Sequence, residues 1–109
     1  MNQKDLMFKR KKVRDGFHRP GSTKETKCVI NHVAMRPNSW GHEQAKALKC
    51  WELMKEGKQF ITEAKCRFTG LVRDVVCLDD GISYEIETDP VRAQRFRELP
   101  NTEVIMVEK

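Results

Sequence analysis

Two short runs of apolar and polar residues stand out in residues 71–88, LVRDVVCLDDGISYEIET. The first run, 71–78, is rich in Val and Leu, and the second, 82–88, alternates between side-chain types. The dipeptide Asp80-Gly81 lies between them and favours a two-residue turn, in which both positions need a positive φ. The pattern predicts a β-hairpin around which the rest of the chain is organised.

The predicted hairpin gathers three carboxylates. A two-residue turn pairs Asp74 with Glu87. The same register pairs Val76 with Glu85. Because side chains alternate between the faces of a strand, Asp74, Glu85 and Glu87 share one face. Like charges opposite each other destabilise a sheet, so this cluster is typical of a divalent cation site, and Mg²⁺ takes one or two carboxylates and keeps several waters. The alternative is a solvated acidic hairpin. The opposite face is an ordinary core surface (Val75, Cys77, Tyr84, Ile86).

Two helices are predicted before the hairpin. Residues 22–25, Ser-Thr-Lys-Glu, match a capping box and predict a helix over 22–35. The stronger helical pattern covers 40–55, and Glu43 lies on its apolar stripe, one turn before the first apolar position. A carboxylate there is aimed at the sheet, or else is a first-turn acid that favours the helix dipole. The predicted core stripe consists of Ala47, Leu48, Trp51 and Met54.

The remaining pattern predicts a strand over 59–67, with Phe60, Thr62, Ala64 and Cys66 on one face. If Thr69-Gly70 is a two-residue turn, Lys65 pairs with Asp74, and a longer turn over 68–71 is the alternative. Asp89-Pro90 begins a helix that runs to about residue 98, with Val91 and Leu99 packed inward. A last strand over 103–107 lies beside the hairpin.

This order predicts one α/β (α+β) domain over residues 22–109, with a mixed four-stranded sheet flanked by helices (α-βββ-α-β) and an extra N-terminal helix. A length of 109 residues fits one domain. No apolar run is long enough to span a membrane, and no signal peptide is evident, so a cytoplasmic location is expected.

The net charge of +5 is concentrated in residues 1–21, a basic N-terminal arm, since the rest of the chain is balanced. Such arms bind nucleic acid through its phosphates. The alternatives are a disordered solubilising tail and a nuclear address. The candidate phosphate-binding residues of the arm are Lys9, Arg10, Lys11, Lys12 and Arg14.

Four isolated cysteines suggest reduced thiols rather than disulfides, because no CxxC pair or secretion signal accompanies them. A structural zinc site is a further alternative, although the spacing gives it little support. Its possible ligands are Cys28, Cys50, Cys66 and Cys77 with His18, His32 and His42.

A helical Glu43, Asp74 on the second strand and Glu85-Ile86-Glu87 on the third resemble the PD-(D/E)XK nuclease superfamily, which includes restriction endonucleases and archaeal Holliday-junction resolvases. The resemblance covers residues 39–107 in topology and pattern. It is strongest to the small resolvase-like members, in which a helical Glu joins the site, and it implies a restriction-endonuclease-like core.

The resemblance implies a metal-dependent endonuclease, a hydrolase acting on DNA, with branched or structured DNA as the expected substrate. Asp74 and Glu85 would bind one or two Mg²⁺ or Mn²⁺ ions, and Glu43 would add a ligand or orient a water. The family lysine position falls on Glu87, and Arg73 replaces the family proline. Either Glu87 or Lys65, a migrated lysine, would then position the attacking water.

The same resemblance implies that Arg92, Arg95 and Arg97 of the last helix hold the DNA backbone together with the basic arm. A homodimer is plausible because related nucleases cut two strands symmetrically. The main alternative is a nuclease-like fold that binds nucleic acid or a protein without catalysis, since fold does not fix function.

Overall fold

The computed structural model describes residues 2–18 and 40–108. The predicted helix over 22–35 lies outside the described residues. In chain order the elements are helix α1 (Gln3–Asp15), strand β1 (Phe17–His18), helix α2 (Trp40–Lys55), strands β2 (Phe60–Cys66), β3 (Val72–Cys77) and β4 (Ser83–Glu87), helix α3 (Pro90–Arg97) and strand β5 (Thr102–Met106).

The strands form one sheet in the order β1-β2-β3-β4-β5. Neighbours from β1 to β4 are antiparallel, and β5 is parallel to β4. A parallel neighbour needs a crossover connection, which α3 supplies. The structure confirms the mixed sheet and the predicted order of one helix, three strands, a helix and a strand. The two-residue β1 adds a short edge strand. None of the described helices has the length and apolarity needed to cross a bilayer.

The predicted pairing of β3 with β4 is wrong by two positions. Val75 pairs with Tyr84 and Val76 with Ser83, rather than Val76 with Glu85. The turn has four residues, because the Gly81 N–H donates to the Cys77 carbonyl at 2.9 Å. Only Gly81, with a φ of 77°, takes the left-handed conformation, whereas a two-residue turn requires it at both positions. Extended to residue 74, this register places Asp74 beside Glu85 instead of Glu87.

The β2–β3 pairing is shifted in the same way, so Lys65 lies opposite Val72 and not opposite Asp74. Glu63 has a φ of 50°, which breaks the alternation of β2. Phe60 therefore packs beneath α2, while Ala64 packs on the other side of the sheet. The prediction that Phe60, Thr62, Ala64 and Cys66 share one face is wrong for this reason.

Helix α2 has the predicted bounds, but its buried face differs from the predicted stripe. Leu48, Trp51 and Met54 are 55%, 51% and 51% exposed. The buried face lies one residue earlier, because a lysine occupies a core position that the sequence pattern assigns to solvent. It consists of Glu43, Lys46, Cys50 and Leu53. The predicted inward direction of Glu43 is confirmed.

Two apolar clusters cover the two faces of the sheet. The cluster beneath α2 contains Val75, Cys77 and Tyr84, three of the four residues predicted for the apolar face of the hairpin, whereas Ile86 lines a cleft. On the other side, Val13 of α1 packs with Phe17 against a second cluster (Ile61, Ala64, Val76, Leu78). Residues 3–18 are therefore part of the folded unit, whereas the sequence predicts an arm over 1–21 separate from the domain.

Helix α3 begins as predicted. The Asp89 carboxylate accepts the Val91 N–H at 3.0 Å, and Pro90 occupies the first turn. Val91 is 63% exposed, so its predicted inward packing is wrong, while Leu99 is half-buried. The three arginines of α3 are exposed, as the sequence predicts.

Arg10 fastens α1 to the β3–β4 turn. Its Nε lies 2.7 Å from Asp79 Oδ1 and its second guanidinium nitrogen 2.9 Å from Asp79 Oδ2. Burial raises the pKa of Asp79, but the hydrogen bonds from Arg10 and the Gln59 N–H outweigh it, so this pKa lies below its usual range. Arg10 is thus committed within the fold, which corrects its assignment to phosphate contact.

We expect Arg10→Met to lower the free energy of unfolding by about 2 kcal/mol, the usual value of a charge-assisted hydrogen bond pair. The stabilisation by Asp79 is present above its unfolded pKa and is lost as pH falls through the lowered folded pKa. Urea unfolding at neutral and acid pH measures both effects. The control is Lys11→Met, which removes an exposed ion pair with Asp15, and an equal loss in the two variants would contradict the anchoring role.

Candidate functional site

A cleft of about 370 Å³ opens beside the carboxyl end of β4, next to α3 and the first turn of α2. Its walls contain all three carboxylates that the hairpin pattern singles out, Asp74, Glu85 and Glu87. The structure therefore brings these residues together, despite the shifted register. The other lining residues are His42, Val72, Ile86, Thr88, Arg92 and Phe96.

Asp74 interrupts the β3–β4 ladder with its side chain. Asp74 Oδ2 accepts the backbone N–H of Ile86 at 2.9 Å, and this hydrogen bond fixes the carboxylate against β4. The same oxygen lies 3.3 Å from Nε2 of His42, at the start of α2. The Asp74 carboxylate is thus held from two sides at the wall of the cleft.

His42 connects the cleft to the buried face of α2. Its Nδ1 lies 3.4 Å from Glu43 Oε1. The hydrogen bond to Asp74 raises the pKa of His42 above its ordinary value, against the opposing effect of burial. The contact with Asp74 thus favours the protonated form of His42, which would counter part of the negative charge at this wall.

Glu43 lies behind His42 rather than in the wall of the cleft. Its Oε2 is 3.0 Å from Nζ of Lys46, an ion pair without hydrogen-bond geometry, and this buried oxygen accepts no hydrogen bond from the described residues. Lys46 is fully buried and also donates to Glu63 Oε1 at 2.8 Å. Desolvation lowers the pKa of Lys46, but Glu63 and Glu43 outweigh it and raise this pKa.

Glu85 is only 3% exposed and is the most strongly perturbed acid of the cleft. Arg73 Nε donates to Glu85 Oε1, and the same guanidinium donates to the Thr102 hydroxyl at 2.7 Å. Burial and the nearby Asp74 charge raise the pKa of Glu85 to about 7, although Arg73 opposes them. Burial, together with the neighbouring Asp74 carboxylate, thus disfavours the ionised form of Glu85.

We expect the metal-free protein to lose stability as pH rises because of Glu85. Its folded pKa of about 7 exceeds the ordinary 4.5, so its contribution is fully present below pH 4.5 and is lost as pH rises through about 7. The loss is about 3 kcal/mol. Urea unfolding in EDTA across this range measures it. Glu85→Gln should show a correspondingly flatter profile, and an unchanged profile would contradict the assignment.

Glu87 lies in the cleft wall at the N-terminal end of α3. Its Oε1 accepts the N–H groups of Thr88 and Asp89, each at 3.1 Å. Its Oε2 is 3.7 Å from Nε of Arg92, an exposed arginine on the rim. Glu87 therefore helps to hold the β4–α3 connection and the rim arginine, at the position where the resembled family carries lysine.

The predicted basic residues separate into two groups. Lys9, Lys11 and Lys12 are exposed on α1, and Arg92 and Arg95 are exposed on α3. Arg14 is half-buried and has an interaction within the protein. Lys65 is exposed and paired with Val72, so its predicted place across from Asp74 is wrong.

Within residues 2–18 and 40–108, no three His, Cys, Asp or Glu side chains lie close enough to hold a metal ion together. Asp74 and Glu85 nevertheless line the same cleft, and two carboxylates satisfy the protein share of a hydrated Mg²⁺ site. These two carboxylates are therefore the residues that could hold such an ion. For the zinc alternative, Cys50 and Cys77 are buried free thiols, while Cys28 and His32 lie outside the described residues.

The sequence analysis names His42 as a possible zinc ligand and Arg73 as the replacement of the family proline, but it missed the contacts that His42, Lys46 and Arg73 make with the carboxylates. One signal was present for Lys46, which follows the inward Glu43 by three residues and so lies on the same helix face. No sequence signal connects Arg73 with Glu85, because their contact depends on the break in alternation around residue 74.

No protein-family model matches this chain, and no curated protein or solved structure shows significant similarity to it.

Proposed function

We propose that this protein is a metal-dependent nuclease that hydrolyses DNA phosphodiester bonds, with a restriction-endonuclease-like core. The observation that carries the proposal is the convergence of Asp74, Glu85 and Glu87 in one cleft, where burial and the neighbouring Asp74 charge raise the pKa of Glu85. Strongly perturbed acids in a cleft are typical of functional sites. The order of helices and strands supports the proposal, because it is the order that the resemblance implies.

In this proposal Asp74 and Glu85 hold one Mg²⁺ or Mn²⁺ ion. When bound, the ion lowers the pKa of water and offsets the charge of the phosphate. His42 and the Ile86 N–H keep the Asp74 carboxylate in place. Arg92 on the rim is positioned to donate to a phosphate oxygen of the DNA backbone.

The test is incubation of the purified protein with supercoiled and branched DNA. We expect nicking or cutting in Mg²⁺ or Mn²⁺ and no cutting in EDTA, with activity rising from pH 6 to pH 8 as Glu85 ionises. Products on a denaturing gel identify the cut sites, and symmetric cuts in both strands would support a homodimer. Absence of cutting on every substrate in both metals would overturn the proposal.

A second candidate is a nuclease-like module that binds nucleic acid without cutting it. The Arg73–Glu85 ion pair favours it, because a guanidinium already neutralises one carboxylate that a metal ion would need. Arg73→Gln separates the two candidates. If the cleft binds metal in competition with Arg73, this variant should bind Mn²⁺ more tightly than the wild type. If neither protein binds Mn²⁺, the result supports the non-catalytic binding module.

A further inference from the structure

Exposed aromatic rings alternate with cations on the α1 side of the sheet. Phe68, at the tip of the β2–β3 hairpin, is 87% exposed, the highest value among the large apolar side chains described. Phe8 on α1 is 72% exposed. Burial in a core explains neither ring, and each stands next to basic side chains.

The hairpin tip is fastened to the end of α1. The Arg67 N–H donates to the Gly16 carbonyl at 2.9 Å. The Phe68 ring lies close to Gly16, since a Cβ atom at this position would be 3.7 Å from the ring. Phe8 precedes Gly16 by eight residues, so the backbone of Phe8 lies about 12 Å along the helix axis from the residue that Phe68 approaches.

Positive charge surrounds these rings. Lys12 is one helical turn after Phe8 and shares a groove of about 450 Å³ with Phe68, and among the described residues no Asp or Glu lines that groove. Arg67 in the hairpin is exposed, and so is Lys65, which lies on the other face of β2 from Ala64. Neither Lys12 nor these two forms an ion pair within the described part of the chain.

We propose that this surface binds single-stranded nucleic acid, with unpaired bases stacked on Phe8 and Phe68 and the phosphates held by Lys12 and Arg67. Exposed aromatic rings among cations are the means by which proteins bind single strands without reading their sequence. Phe68 precedes Val72 of the cleft wall by four residues, a chain reach of at most about 14 Å. The hairpin tip therefore lies within this reach of the cleft wall, and the proposal favours DNA with unpaired segments as the substrate.

This inference rests on the nucleic-acid part of the proposed function, but its test does not require catalysis. Fluorescence anisotropy in EDTA measures the affinity for labelled oligothymidylate and for a blunt duplex of equal length. Phe8→Ala and Phe68→Ala should each weaken single-strand binding by roughly fivefold to a hundredfold, with a smaller effect on the duplex. Lys12→Ala should reduce the salt slope of single-strand binding by about 0.7.

Trp51→Ala is the matched control, because this aromatic side chain on α2 is also about half exposed and should leave binding unchanged. Equal affinity of the phenylalanine variants and the wild type would overturn the inference, as would an equal loss on the duplex or binding to anionic lipid vesicles in place of nucleic acid. Single-strand binding without any cutting refutes only the nuclease. Cutting with normal binding by the phenylalanine variants refutes only the stacking surface.

Discussion

Asp74→Asn is expected to reduce metal-dependent cleavage by about a hundredfold or more, with the fold intact. The amide oxygen of Asn can still accept the Ile86 N–H, so the hydrogen bond that fixes residue 74 is retained. What is lost is the negative charge at the cleft wall, and a metal ion contributes several kcal/mol to the transition state of such a reaction. Single-turnover cleavage of one substrate with saturating Mn²⁺ measures the effect.

Glu103→Gln is the matched control, because it removes an exposed carboxylate of β5 that does not line the cleft. It should cut at the wild-type rate. Circular dichroism and urea unfolding of both variants show whether the fold is preserved. Wild-type cleavage by Asp74→Asn with an intact fold would place the chemistry elsewhere on the protein.

Lys46→Met is expected to destabilise the protein by about 3–5 kcal/mol, because removal of one partner leaves a buried charge uncompensated. Lys46 is fully buried and holds Glu43, itself 7% exposed, together with Glu63. For a domain of this size the loss is a large share of the total stability. The midpoint of thermal unfolding should fall by on the order of 20 °C.

The double variant Lys46→Met/Glu43→Gln tests the cause of that loss. Neutralising Glu43 removes the uncompensated carboxylate, so the double variant should recover part of the stability that Lys46→Met alone loses. A double variant that is as unstable as Lys46→Met would show that lost packing of the lysine side chain, and not its charge, dominates.

Local patterns predicted the elements of this fold well, since they depend on short-range chemistry. The capped start of α3 at Asp89-Pro90 and the bounds of α2 follow from side chains within one helical turn. The register of the hairpins did not follow, because the choice between a two-residue and a four-residue turn depends on Asp79, whose carboxylate is held by the distant Arg10. Long-range contacts of this kind have no local sequence signal.

The candidate site shows the same division. Three of its carboxylates were predicted to lie together, and they line one cleft although the register is shifted by two residues and the alternation breaks around residue 74. The cations that neutralise them were not predicted. Lys46 occupies a core position only because Glu43 and Glu63 meet it there, and the left-handed backbone of Glu63 that allows this contact is invisible to an alternation pattern.

The central claim is that this cleft holds a divalent metal ion. Isothermal titration calorimetry of Mn²⁺ binding to the metal-free protein at pH 8 tests it most directly. Asp74 and Glu85 are proposed to hold the ion, so the wild type and Glu103→Gln should bind it. Asp74→Asn should lose this binding and Glu85→Gln should weaken it strongly. Failure of the wild type to bind at millimolar Mn²⁺, or equal binding by all four proteins, would contradict a metal site in this cleft.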